Sequence, residues 1–183
     1  MESVNVERDY FVLINSGVEN ERTSAYERLK STNDPDIIKL ADFGQQIHKV
    51  IIGKSPPSIL SKVFEELGNY PVGRFWSGIM EATGQTILEK AFTMPKGDNN
   101  RPEIIWQGLK FIGSVLSGGM PISDFSLKQV KKANEEDDKK VREFAQMLIN
   151  EDSFMKPERG IRFPSPPKKS NRRITRRKKA KEG

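Results

Sequence analysis

The chain has 183 residues, a net charge of +6 and no cysteine. That length fits one domain or a domain plus an extension, and the lack of cysteine excludes disulfides, thiolate zinc sites and cysteine nucleophiles. The charge is unevenly placed: residues 156–183 hold 12 Lys or Arg against Glu158 and Glu182, a net of +10, which leaves −4 on residues 1–155. The N-terminus, Met1-Glu2-Ser3-Val4-Asn5, has no basic-then-apolar leader, and no apolar run approaches the ~18 residues a membrane helix needs.

In chain order, Val6, Tyr10, Leu13 and Ile14 fall on one side of a first helix over residues 4–16, with Gly17 expected as its left-handed stop. Ala25, Tyr26 and Leu29 mark a second helix over 20–30, broken by Ser31-Thr32-Asn33-Asp34-Pro35. Asp34 or Asn33 can cap a third helix, and Pro35 suits its first turn, where a missing N–H costs nothing. That helix carries Ile37, Leu40, Ala41, Gly44, Ile47 and Ile51 to a stop at Gly53.

A fourth helix bears Ile59, Leu60, Val63, Phe64 and Leu67 and ends at Gly68. A fifth opens at Tyr70-Pro71 and repeats Val72, Phe75, Trp76, Ile79, Met80, Thr83, Ile87 and Ala91 at three- and four-residue spacing. Its Gly73, Gly78 and Gly84 each cost about 1 kcal/mol relative to Ala, so a neighbour is expected to approach closely. Met94 to Arg101 reads as an exposed polar loop. Pro102 starts a sixth helix that ends at Gly118-Gly119. Residues 123–152 read as one long or kinked helix, capped by Ser123 or Ser126, with Glu135–Lys139 and Glu136–Lys140 as i,i+4 pairs. No alternating run survives as a strand. The expectation is an all-α body of about seven helices over residues 1–155, followed by a disordered Pro- and Lys/Arg-rich tail over 156–183, whose few large apolar side chains (Ile161, Phe163, Ile174) cannot offset ordering entropy.

Motifs for catalysis are weak. Gly53-Lys54-Ser55 imitates the end of a phosphate loop, but His48 stands where the first glycine belongs, a helix arrives in place of a strand, and Pro56-Pro57 blocks the following helix. Gly78 and Gly84 fit no dinucleotide fingerprint. His48 is the only histidine, and neither a G-x-S-x-G elbow nor H-E-x-x-H accompanies it. The acidic pairs Glu65-Glu66, Glu135-Glu136 and Asp137-Asp138 lie on polar faces. No enzyme, metal or cofactor is expected. Trp76 and Trp106 read first as core residues, with Trp106 the better surface candidate because it lies near the exposed loop. There Arg101, with Arg74 and Lys96, could form a small basic interface.

The tail carries the stronger signal. Lys168, Lys169, Arg172, Arg173, Arg176, Arg177, Lys178, Lys179 and Lys181 come as spaced clusters, each cation able to neutralise a phosphate and release a counterion. Nucleic acid is the expected partner, RNA ahead of DNA. The same clusters resemble a nuclear-localisation signal read by an import receptor, and an anionic membrane is the lesser alternative. Ser165, Ser170 and Thr175 are candidate phosphorylation sites, where added phosphate would cancel positive charge. In layout alone, a helical body with a basic tail resembles viral core and nucleocapsid proteins, which carries no residue across. It implies a self-associating, homo-oligomeric nucleic-acid-packaging protein, located in cytoplasm, nucleus or virion. The alternative is a helical interaction adapter or viral accessory protein whose tail serves nuclear entry; the lack of an Asn-x-Ser/Thr acceptor agrees with either intracellular setting.

Overall fold

The computed structural model describes residues 4–69 and 74–156. Among them are eight α-helices and no strand: α1 (Val6–Asn15), α2 (Glu19–Lys30), α3 (Pro35–Ile51), α4 (Ser58–Leu67), α5 (Arg74–Thr93), α6 (Arg101–Ser117), α7 (Asp124–Ala133) and α8 (Lys139–Met155). The all-α expectation holds. Tyr70 to Gly73, the expected opening of the fifth helix, and the basic tail from Pro157 onward lie outside the described residues.

Several boundaries follow from local chemistry. Asp34 accepts a hydrogen bond from the Asp36 N–H at 2.9 Å, and Pro35 opens α3; Ser123 accepts from Ser126 N–H at 3.2 Å to start α7. Gly53 and Gly119 take φ of 74° and 76° after α3 and α6. Gly17 is not among the glycines with positive φ. Ser16 ends α1 instead in an extended conformation, its N–H bonded to the Val12 carbonyl and its hydroxyl accepting from Val18 N–H.

The one long or kinked helix expected over 123–152 is two helices, so the described residues hold eight where about seven were expected. Residues 134–138 form the break. The Asp138 side chain accepts from Val141 N–H at 3.0 Å and so caps a new start at Lys139, the N-cap geometry that an acidic residue before an apolar run favours. Glu135 and Glu136 are therefore outside a helix, and Glu136 reaches Arg101 rather than Lys140. Lys139 pairs with Glu143 at 3.6 Å.

At the centre, α5 and α6 pack antiparallel. A Cβ on Gly84 would lie 2.7 Å from Ile112 Cγ1 and 2.8 Å from the Gly108 carbonyl, and one on Gly108 would lie 2.8 Å from Leu88 Cγ. These two glycines let the helices approach until Ile87, Leu88, Ile105, Leu109 and Ile112 are fully buried. On one side lies the α1–α3 unit. Buried Tyr10 meets Thr83 of α5 at 2.8 Å; because the Thr83 hydroxyl donates to the Ile79 carbonyl at 2.7 Å, the phenol is the donor. Burial raises the Tyr10 pKa and the Thr83 hydrogen bond partly opposes the rise. Asp9 and Arg28 join α1 to α2 at 2.7 Å.

On the other side, α7 and α8 form a hairpin. Glu81 of α5 accepts from the Ser123 N–H at 2.7 Å and the Ser126 hydroxyl at 2.6 Å. A Cβ on Gly113 of α6 would lie 3.1 Å from Leu148 of α8. α4 bridges the edge, its Glu66 bonded to Lys39 of α3 at 2.5 Å and its Phe64 set edge-on to Phe111 of α6 at 5.2 Å.

Of the glycines expected to admit a neighbour, Gly84 does so. Gly73 lies outside the described residues, and Gly78 is exposed, its nearest foreign atom Glu7 Oε1 at 3.8 Å from a Cβ. Gly84→Ala should therefore lower stability by about 1–3 kcal/mol through overpacking against backbone. Gly78→Ala should raise it by up to about 1 kcal/mol through helix propensity. Urea midpoints of the two variants read both signs; equal effects would show that α5 and α6 are not in close contact at Gly84.

Candidate interaction surfaces

The loop side of α6 does not present an exposed arginine. Arg101 is buried, with 5% of its side chain accessible, and grips Glu136 through two bonds, Nη2 to Oε1 at 2.6 Å and Nε to Oε2 at 3.1 Å. Its Nη1 also donates to the Met94 carbonyl. The forked geometry suits a guanidinium facing a carboxylate. Arg142 holds the same break from outside, donating to the Glu136 and Asp137 carbonyls at 2.9 and 2.6 Å. Arg101 thus ties the start of α6 to the α7–α8 break, and the expected basic interface loses its central member. Lys96 is exposed in the loop.

Trp106 is half-buried, its ring tilted on Phe144 of α8 with centroids 4.7 Å apart. That contact makes it part of the α6–α8 packing. Trp76 stands instead at an opening. It is half-buried, edge-on to Phe75 at 5.3 Å, and lines an apolar groove of about 480 Å³.

The groove has a floor of small residues, Gly113, Ser114 and Ser117 of α6, with Gly118 at its end. Phe144, Met147 and Leu148 of α8 form one wall, Phe64 and Leu67 of α4 the other, and Trp76 and Met80 of α5 close it. Lys110 sits over the Phe64 ring at 4.5 Å. The Met147 side chain is half exposed at the rim. The volume lies within the usual range for ligand and peptide sites. The groove was missed in the sequence because its walls belong to three helices far apart in the chain; the one local signal was Gly113-Ser114 inside an otherwise apolar helix.

The described residues end at Lys156, which is tied to the linker that follows Gly118. Lys156 departs from helical geometry at φ −123° and ψ 75°. Its N–H bonds the Asp152 carbonyl at 2.9 Å and its ammonium donates to the Ile122 carbonyl at 2.7 Å. Asp152, fully buried, accepts from Ile122 N–H at 3.3 Å. The tail's root is therefore fixed to the linker between α6 and α7. All nine candidate cations from Lys168 to Lys181, and Ser165, Ser170 and Thr175, lie outside the described residues.

Phe125, in the first turn of α7, and Phe154, in the last turn of α8, are 48% and 85% exposed at this same end. Exposed rings of this kind are available to a partner surface.

Gly53-Lys54-Ser55 forms the turn after α3, with Lys54 N–H bonded to the Lys49 carbonyl at 2.8 Å. No strand leads into it, so it lacks the geometry of a phosphate loop. His48 is half-buried, one ring nitrogen 3.3 Å from the Ile14 carbonyl. Burial lowers its pKa, the Ile14 hydrogen bond opposes this, and Arg22 and Lys54 add to the lowering. Among the described residues no group of three or more His, Asp or Glu side chains is placed to hold a metal, and no helix is long and apolar enough to cross a membrane.

Removing one partner of the Arg101–Glu136 pair strands a buried charge, so Glu136→Ala should destabilise by about 3–5 kcal/mol. The double variant Arg101→Met, Glu136→Met should recover most of that loss in chemical denaturation; failure to recover would mean that the pair's geometry, rather than charge burial, sets the cost. For His48 the native state holds fewer protons than the unfolded chain near pH 6. Its contribution is complete above the ordinary value of 6.5 and is lost as pH falls from there toward the lowered native value. The stability difference between wild type and His48→Gln should therefore shrink from pH 7.5 to 5.5, and a difference independent of pH would contradict that assignment.

No family model matches this sequence, and neither the curated proteins nor the solved structures contain a match to it.

Proposed function

We propose that this chain is a non-enzymatic, self-associating nucleic-acid-binding protein whose basic tail neutralises phosphates of RNA or DNA, with RNA the favoured partner. The observation that carries this is the division of charge: +10 in residues 156–183 against −4 in residues 1–155. A body of negative net charge gains little from nucleic acid by itself, so the tail supplies the sequence-independent, counterion-releasing contact. The anchorage of Lys156 supports the reading, because it gives the cationic clusters that follow in sequence one fixed origin on the body. Phe125 and Phe154 beside that origin support self-association. Phosphate at Ser165, Ser170 or Thr175 would subtract charge from the clusters and weaken binding.

Fluorescence anisotropy against a labelled single-stranded RNA at several salt concentrations tests this. Nine cations from Lys168 to Lys181 set an upper limit of about −6 on the slope of log K against log salt, at about −0.7 per phosphate neutralised. Replacing all nine with Gln should abolish binding at physiological salt. Sedimentation of the same samples should show assemblies larger than a dimer, reduced in Phe154→Ser. A shallow slope, or equal binding by the neutralised chain, removes nucleic acid from the function; a strictly monomeric complex removes self-association.

A further inference from the structure

We propose that the cavity between the start of α2, the C-terminal half of α3 and the turn after α3 is a binding site for a phosphate group, held by Arg22, His48 and Lys54. The site belongs to the body and does not depend on the basic tail.

The cavity measures about 220 Å³, and the whole stretch of chain that forms it, from Leu13 to Lys54, lies within the described residues. That is less than the ~300 Å³ at which sites for whole drug-sized ligands begin, so it suits one compact group. Arg22 comes from α2, His48 and Lys49 from the last turns of α3, and Lys54 from the turn beyond. Gly53 makes this convergence possible. Its φ of 74° folds the chain back, and Lys54 N–H closes on the Lys49 carbonyl at 2.8 Å. Thr23 and Gln45 add neutral donors to the wall.

The cations gathered here lack the counter-charge that others in the body have. Arg28 pairs with Asp9, Lys30 with Asp42 and Arg101 with Glu136. Among the described residues, none of Arg22, Lys49 and Lys54 forms an ion pair. Arg22 Nη1 donates to the Ser16 carbonyl at 2.7 Å, which orients the guanidinium without neutralising it. The His48 Nδ1 lies 3.3 Å from the Ile14 carbonyl; a carbonyl only accepts, so Nδ1 carries the proton, and Nε2 is the nitrogen that gains a second one. Burial lowers the His48 pKa, the Ile14 hydrogen bond opposes this, and Arg22 and Lys54 lower it further. Both cations are therefore felt at the ring. An anion set among the three would offset their repulsion, and a protonated Nε2 would donate to it. Glu19, the one carboxylate lining the cavity, and the C-terminal end of α3 act against an anion, so the balance rests on the cations.

Nuclear magnetic resonance of the full chain tests this, because His48 is the only histidine and gives a single ring signal. The ring is titrated with pH in sodium sulfate, an oxyanion of constant charge, and in sodium chloride at equal ionic strength. Inorganic phosphate and a nucleoside 5′-monophosphate are then added at constant pH. The expected result is a higher His48 pKa in sulfate than in chloride and a saturable phosphate-dependent shift of the ring signal. Lys54→Gln should weaken phosphate binding by about two- to fivefold, the range for loss of an exposed ion pair, and Glu19→Gln should strengthen it by a similar factor. A monophosphate that binds more tightly than inorganic phosphate assigns the site to a phosphomonoester, and equal binding assigns it to free phosphate; both support the shared chemistry. Equal His48 pKa values in sulfate and chloride, or no saturable phosphate shift, overturn the proposal. So does a shift that Lys54→Gln and Glu19→Gln leave unchanged, or one that disappears when the nine tail cations are replaced with Gln, which would place the anion on the tail.

Discussion

The close approach of α5 and α6 at Gly84 and Gly108 is the constraint on which the other packing relations rest. With no side chain at either position, the Gly108 carbonyl comes within 2.8 Å of where a Gly84 Cβ would be. Two helices brought that near bury their facing Ile and Leu residues completely and become a rigid centre. The remaining helices are then placed by what this centre offers. Thr83 takes the Tyr10 phenol and positions α1; Glu81 takes the first turn of α7; Gly113 admits Leu148 and positions α8. Each of these groups lies on α5 or α6, and each is small or polar at a point where an apolar stripe alone would predict a larger hydrophobic residue.

This explains which parts of the fold were legible in the sequence. Helices were legible wherever a stripe was bounded by local chemistry, as at Asp34-Pro35 and Ser123, because caps act within one turn. The break between α7 and α8 was hidden. Glu135, Glu136, Lys139 and Lys140 satisfy the spacing rule for an exposed helix, and only the distant Arg101 shows that Glu136 is used elsewhere. A buried guanidinium requires a carboxylate, and here it is supplied by a turn 35 residues later. Local pairing of charges on an exposed face is worth a few tenths of a kcal/mol, too little to compete with a charge that would otherwise be buried alone. Gly17 failed as a left-handed stop for a related reason: Ser16 and Val18 satisfy the end of α1 without it.

The candidate site was legible in one half. Charge partition needs no structure, because 12 cations in residues 156–183 are a property of composition. The groove, by contrast, is a property of four helices, α4, α5, α6 and α8, meeting imperfectly. Sequence reasoning read both tryptophans first as core and made Trp106 the better surface candidate from its nearness to a loop, yet Trp106 is engaged by Phe144 and it is Trp76 that lies at the opening. Distance along the chain from a loop says little about exposure when the loop's own arginine is drawn inward.

The two features meet at Lys156. A polybasic tail on a structureless junction would sample every direction, and its effective concentration near any one surface of its own body would be low. Fixing Lys156 by its N–H to Asp152 and its ammonium to Ile122 removes that freedom at the root.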